Sequence, residues 1–321
     1  MNRKLKYFFI KHPSLENKIY YIYNYFKDKT SIEHSVNGKR KDCNYYVIRP
    51  RTNCVEGLLS LVIFVLRKIE FAKRKNLLPV VDMKNFRTQY YDGVNNIWDL
   101  FFEQPSSISL DNAYNGPYII SGNKFIDRED YKLFSDEIFE KKEVFKKTCE
   151  LVSNNIVFKK SVTDIINDFD KNYDIRDCIG VYLRGTDYIK LKPVGENIQP
   201  NIGDVMKQTD HMILKHGKHK IFLVTEDYNI FCLFKEKYSD DLLTYGDEFL
   251  VKNYKGKDFL SKEDVLSTDK IQLALCYLVK MVLLSKCKYL VSSITYGSRF
   301  SYILNNNKYE DEYIFNLGIY K

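Results

Sequence analysis

The chain lacks the short signatures that name a chemistry outright. There is no P-loop, which counts against a kinase or ATPase. No Ser-His-Asp spacing or nucleophile elbow is present. Glu56-Gly57, at the start of a helical stretch, offers one glycine where a dinucleotide fingerprint needs three. The seven cysteines, at 43, 54, 149, 178, 232, 276 and 287, form no C-x-x-C pair. That argues against a disulfide framework or a structural zinc site and leaves them as small core residues. The single tryptophan, Trp98, is expected in a core. Of the five histidines, His216 and His219 sit in a basic turn with no carboxylate beside them in sequence, and are expected to be solvated. The longest apolar runs, 58–66 and 273–284 (broken by Lys280), are too short or too interrupted to cross a bilayer. No apolar run of signal length follows the charged start. The expectation is a soluble protein of the reducing cytoplasm that carries no metal.

What is present is an ordinary globular balance. The 321 residues suffice for two domains, with 45% hydrophobic and 29% charged side chains. Fifty basic against 42 acidic residues give a net charge of +8, spread along the chain. That excess suits an anionic substrate or a membrane surface. Nucleic acid calls for a concentrated basic stripe, so it is not an expected partner.

Residues 1–42 are rich in Lys and Tyr and read as an N-terminal arm, with a helix around 19–26 and then a loop. An arm of this kind either lies in solvent or attaches to a membrane or partner. From Tyr45 an α/β rhythm begins: a strand at 45–49, a helix from Leu58 to about Lys75 and a strand at 77–82. That βαβ order predicts a parallel sheet. Aromatic sequence at 95–105 reads as a short helix closed by Pro105, and 118–121 as a strand. Charged helical sequence between 128 and 169 is the expected connector. The predicted division is an arm at 1–42, a first domain at 43–173 and a second at 174–321.

The second half repeats the rhythm. Strands are predicted at 178–183, 220–224 and 289–292, and helices at 202–216, 228–238 and 269–286. Three of these strands end in polar clusters: Arg184-Gly185-Thr186-Asp187, Thr225-Glu226-Asp227 and Ser293 to Ser298. In a parallel sheet such ends share one rim, where α/β sheets bind ligands. A guanidinium there suits phosphate, because its planar fork matches two oxygens, and the competing reading is an Arg–Asp pair bracing a turn. Gly185 is expected to let backbone approach a ligand closely. The 293–298 turn leads into a helix and offers hydroxyls and N–H groups as a phosphate cradle. The competing reading of each cluster is the N-cap of the helix that follows, a common role for Ser, Thr and Asp.

Tyr182-Leu183-Arg184-Gly185-Thr186-Asp187 resembles the His-x-Arg-Arg-x-Asp motif of the fucosyltransferase superfamily, which includes α-1,6-, nodulation and protein O-fucosyltransferases. The blocks at 222–227 and 284–295 resemble that family's second and third blocks in order and rough spacing. Glu56-Gly57-Leu58-Leu59 is similar to its glycine-led helix start, and the run from Trp98 to Pro105 to bacterial relatives in polysaccharide loci. The resemblance implies a GT-B fold of two Rossmann-like domains facing across a cleft. It implies inverting, metal-independent transfer of fucose from GDP-fucose to a hydroxyl of a glycan or lipid-linked glycan, with no cofactor beyond the donor, at the cytoplasmic face of a membrane. In that picture Arg184 neutralises the leaving diphosphate and Asp187 orients Arg184 or the loop. Glu56 is the candidate general base. Tyr182, Gly185, Thr225, Glu226, Asp227, Ser293, Thr295, Tyr296, Gly297 and Ser298 line the nucleotide sugar. Tyr182 stands at the motif's His, Gly185 at its second Arg, and Lys280 near a guanine-reading Asp. These departures leave open a transferase of another nucleotide sugar, or a homologue that binds nucleotide or glycan without turnover.

Overall fold

The computed structural model describes residues 33–51, 56–122, 132–260 and 269–321. The helix expected at 19–26 and Cys54 lie outside them. The described residues fall into two compact units: 33–51, 56 and 64–122 in the first, and 57–63, 132–260 and 269–321 in the second.

In the first unit, β1 (His34–Val36), β2 (Tyr45–Ile48), β3 (Leu78–Val81) and β4 (Tyr118–Ile120) form a sheet in the order β1-β4-β2-β3. β2 runs parallel to both β3 and β4, and β1 closes one edge antiparallel. Helix α1 (Leu58–Arg74), of which residues 64–74 belong to this unit, is the crossover from β2 to β3, as the βαβ pattern predicts. The short helices α2 (Ile97–Phe101) and α3 (Leu110–Tyr114) follow β3. Trp98 is 1% exposed and donates its indole N–H to the Glu103 carbonyl, which makes it the core residue expected.

The second unit begins with helices α4 (Glu137–Glu140), α5 (Lys142–Asn155) and α6 (Lys160–Tyr173). Then come β5 (Ile179–Tyr182), α7 (Thr186–Leu191), α8 (Ile202–His216), β6 (Ile221–Val224), α9 (Tyr228–Tyr238) and β7 (Leu242–Leu243). The chain ends with α10 (Lys270–Lys286), β8 (Tyr289–Ser293), α11 (Tyr296–Asn305) and β9 (Asp311–Phe315). The sheet order is β7-β6-β5-β8-β9, and every pairing is parallel. β5 is therefore central and apolar on both faces, as a strand covered by helices on each side must be. Ile179, Val181 and Leu183 pack with Val205 and Met212 of α8 and Phe234 of α9. On the other face, Phe222 of β6 meets Phe169 of α6 edge to face. The strand order reverses between β5 and β8, so the carboxyl ends of these two strands mark the ligand crevice of an open α/β sheet.

The α/β class and the parallel sheets agree with the sequence. Three strands were not foreseen. β7 has two residues, β1 lies in the polar stretch read as loop, and β9 carries Asp311 and Glu312. All three are edge strands, where short length and charge replace apolar alternation. Helix α7 lies where a turn was expected after Arg184.

The histidine expectation is corrected. The sheet brings acids from distant sequence to the 215–220 turn. His216 Nε2 lies 2.7 Å from Asp311 Oδ2, and His219 Nδ1 lies 3.3 Å from Asp177 Oδ2. His216 also stacks on Tyr289. These rings are largely buried and acid-paired rather than solvated. The side-chain hydrogen bond from Lys215, followed by that from His216, pushes the Asp311 carboxyl down to about 2. A depressed carboxylate adds stability above its unfolded value, near pH 4, and loses it as pH falls through the folded value. Melting temperature should therefore drop between about pH 4 and pH 2. In Asp311→Asn that limb should be shallower; equal acid limbs would show that the pair adds nothing.

Candidate active site

The carboxyl rim of the second sheet gathers the polar ends of β5, β6 and β8. Arg184 follows β5 with its side chain about one-fifth exposed. Nη2 donates to Asp187 Oδ1 and Oδ2 at 3.0 and 3.3 Å. Nε stands 3.7 Å from Glu226 Oε1, is buried, and makes no hydrogen bond among the described residues. The guanidinium lies 4.7 Å over the Tyr188 ring, whose hydroxyl donates to Glu196. Burial opposes the Arg184 charge, but Glu226 and Asp187 outweigh it and raise its pKa well above the ordinary value. The fork is thus charged and fixed from one side by Asp187, while Nε and Nη1 hold no hydrogen bond among the described residues.

Each acid is itself held. Asp187 is 2% exposed and accepts from the backbone N–H groups of Tyr188 and Leu260 at 3.0 and 3.1 Å. Glu226 accepts from the Gly185 N–H at 3.0 Å and the Thr186 hydroxyl at 2.7 Å. Burial pushes the Glu226 carboxyl up, against the pull of Arg184. Thr186 enters α7 with φ of +32°, a conformation costly for a β-branched residue. Its hydroxyl bond to Glu226 and its N–H bond to Asp227 Oδ2 (3.2 Å) keep it there. Such strain costs roughly 1–3 kcal/mol and persists only where the surroundings enforce it.

Several residues expected to line a ligand have other work. A Cβ on Gly185 would sit 2.6 Å from the Asp227 side chain, so the close approach that needs glycine is to Asp227. Asp227 in turn caps α9, accepting from the N–H groups of Asn229 and Ile230. Thr225 accepts from the Asp227 N–H. Tyr182 is 1% exposed, and its hydroxyl is 2.9 Å from Thr295 Oγ1, which ties the end of β5 to the turn after β8. Thr295 and Ser298 form a capping box on α11. The Gly297 and Ser298 N–H groups donate to Thr295 Oγ1, and the Thr295 N–H to Ser298 Oγ. The cradle expected there is therefore largely satisfied internally, leaving the Tyr296 N–H unused among the described residues. Ser293 Oγ is buried at the end of β8 with no hydrogen bond among them. Tyr296 stacks beneath Arg299, which bonds Asp136 and Asn197.

Tyr277 of α10 was not singled out in the sequence, where it sits inside an apolar run. Its hydroxyl lies 2.0 Å from where a Gly297 Cβ would stand, so Gly297 makes room for it at the first turn of α11. Lys280, one turn further along α10, is buried. Glu56 belongs to the first unit, where it accepts from Arg51 at 2.8 Å and its carbonyl accepts from Gln89. Among the described residues, no cluster of three or more His, Cys, Asp or Glu side chains could hold a metal ion.

NodZ α-1,6-fucosyltransferase, crystallised with GDP, superposes with a TM-score of 0.50 at 17% identity, covering 82% of this chain and 92% of that one. The two chains share a fold. An Arabidopsis thaliana FUT1 variant in complex with GDP gives a TM-score of 0.49 at 14% identity, covering 92% of this chain and 74% of that one. POFUT1 in complex with GDP-fucose gives 0.49 at 10% identity, covering 88% and 100%. No protein-family profile and no curated protein sequence matches the chain. The fold shared with NodZ agrees with the α/β class expected from the sequence.

The capping box predicts a stability effect separable from ligand binding. Thr295→Ala removes the acceptor for two N–H groups and the partner of Tyr182, and should cost about 1 kcal/mol, within roughly 0.5–2. Thr295→Ser should recover most of it. Thermal melting of the three proteins checks this; an unchanged Thr295→Ala would show the cap to be unimportant.

Proposed function

We propose that the protein is an inverting, metal-independent glycosyltransferase that moves a sugar, fucose in the first instance, from a GDP-sugar to a hydroxyl of a glycan acceptor in surface polysaccharide biosynthesis. The observation that carries this reading is the state of Arg184. It is a charged guanidinium at the switch point of a parallel sheet, held on one side by Asp187, with donors left over on the other. Buried charge is costly, and a simple structural arginine would be expected to saturate its donors. The fold shared with a GDP-bound fucosyltransferase supports the same assignment.

In the proposed step the acceptor oxygen attacks the anomeric carbon from the face opposite the diphosphate. The carbon–oxygen bond to the diphosphate breaks and its electron pair leaves with the phosphate oxygen. Arg184 binds the charge as it grows there, the largest electrostatic demand of the reaction. Asp187 and Tyr188 hold the fork so that it need not reorganise during the step. The hydroxyl proton passes to a base, for which Glu56 is the candidate. Among the described residues no helix is long and apolar enough to cross a membrane, and the +8 charge supports a peripheral site at a membrane's cytoplasmic face.

A thermal-shift series with GDP, UDP and CDP and their sugars identifies the base, since a ligand of the folded state raises the melting temperature. Turnover of the stabilising donor is then compared between wild type, Arg184→Lys and Arg184→Ala. Arg184→Ala should lose about 10²–10³-fold in kcat, with Arg184→Lys in between, because a point charge cannot reproduce the fork. Unchanged turnover in Arg184→Ala contradicts the assignment. Binding without any turnover in the wild type would make this a nucleotide-binding homologue.

A further inference from the structure

We propose that Tyr277 contacts the substrate, its phenol hydroxyl donating a hydrogen bond to the terminal phosphate of the bound nucleoside diphosphate. The inference rests on the transferase reading and adds a residue to it. A count of donors at the rim leads there. The first turn of α11 would ordinarily offer several N–H groups to an anion. Here Thr295 Oγ1 already takes those of Gly297 and Ser298, and Ser298 Oγ takes that of Thr295. Arg184 Nη2 is committed to Asp187. The Tyr182 hydroxyl is buried against Thr295. What is left to face a diphosphate is the open edge of Arg184, the Tyr296 N–H and the proton of the Tyr277 hydroxyl, whose oxygen is already engaged by Tyr182 and Thr295.

The chain gives up a side chain to seat that hydroxyl. Glycine in a helix is unfavourable by about 1 kcal/mol relative to alanine. Yet any Cβ at position 297 would stand 2.0 Å from the Tyr277 oxygen and 3.0 Å from Met281 Sδ. Tyr277 is partly exposed as a residue, whereas Tyr182 is buried. Burial raises the Tyr277 pKa, with the Arg184 cation pulling it down, so near neutral pH the group is a protonated phenol able to donate. The Gly297 contact places the hydroxyl at the first turn of α11, beside the Thr295 cap.

Tyr277→Phe keeps the ring and its packing and removes the donor. Affinities of wild type and variant for GDP, UDP, CDP and the matching monophosphates are measured by calorimetry, with melting temperature as the control for folding. A hydrogen bond to a charged group predicts a loss of about 10–100-fold in affinity for the preferred diphosphate. Affinity for its monophosphate and the melting temperature should not change. Gly297→Ala, which displaces the hydroxyl, should reproduce the diphosphate loss. Equal diphosphate affinity in wild type and Tyr277→Phe overturns the contact and leaves the transferase reading intact. Equal losses for di- and monophosphate overturn it as well, by putting the hydroxyl elsewhere. A wild type that binds none of the diphosphates overturns both readings.

Discussion

The organisation of the second unit depends on a half-satisfied charge. Arg184 stands at the end of the central strand, where burial alone would disfavour its guanidinium. Asp187 and Glu226 supply the opposing charge, and neither is free to wander. Asp187 is fixed by two backbone N–H groups, one of them from Leu260, far along the chain. Glu226 is fixed by Gly185 and Thr186. As built, the fork keeps an edge with no hydrogen bond among the described residues, and preorganisation of this kind is what transition-state stabilisation needs.

A second constraint comes from the hydrogen bonds of α11. Serine and threonine after a strand can cap the next helix or leave its N–H groups for a ligand, and the same atoms cannot do both. In this chain the cap wins at Thr295 and Ser298. The 2.9 Å contact between Tyr182 and Thr295 then serves to hold two strand ends together. In the proposed site, anion recognition therefore falls to side chains, to the guanidinium of Arg184 and the phenol of Tyr277.

Much of the fold was legible. Helices α8 and α9 lie where the sequence put them, because clear apolar periodicity and an Asn or Asp cap frame each one. The inner strands were legible as unbroken apolar runs. The edge strands β7 and β9 were not, since an edge is specified by its neighbour's ladder more than by its own side chains. The site was legible in outline: Arg184, Asp187 and Glu226 do converge. The roles of Gly185 and Asp227 were not, because their contact joins residues 42 positions apart and only the fold brings them together. Tyr277 was hidden in the apolar stretch of α10, where a tyrosine reads as core. His216 and His219 were misread for a similar reason, as Asp311 and Asp177 reach them only through the sheet.

The most direct test of the central claim is a crystal structure of the protein soaked with GDP. The account requires terminal phosphate oxygens within hydrogen-bonding distance of Arg184 Nη1 or Nε, with Asp187 still on Nη2. A diphosphate bound away from that edge, or an Arg184 whose remaining donors have turned to protein carboxylates, would contradict it.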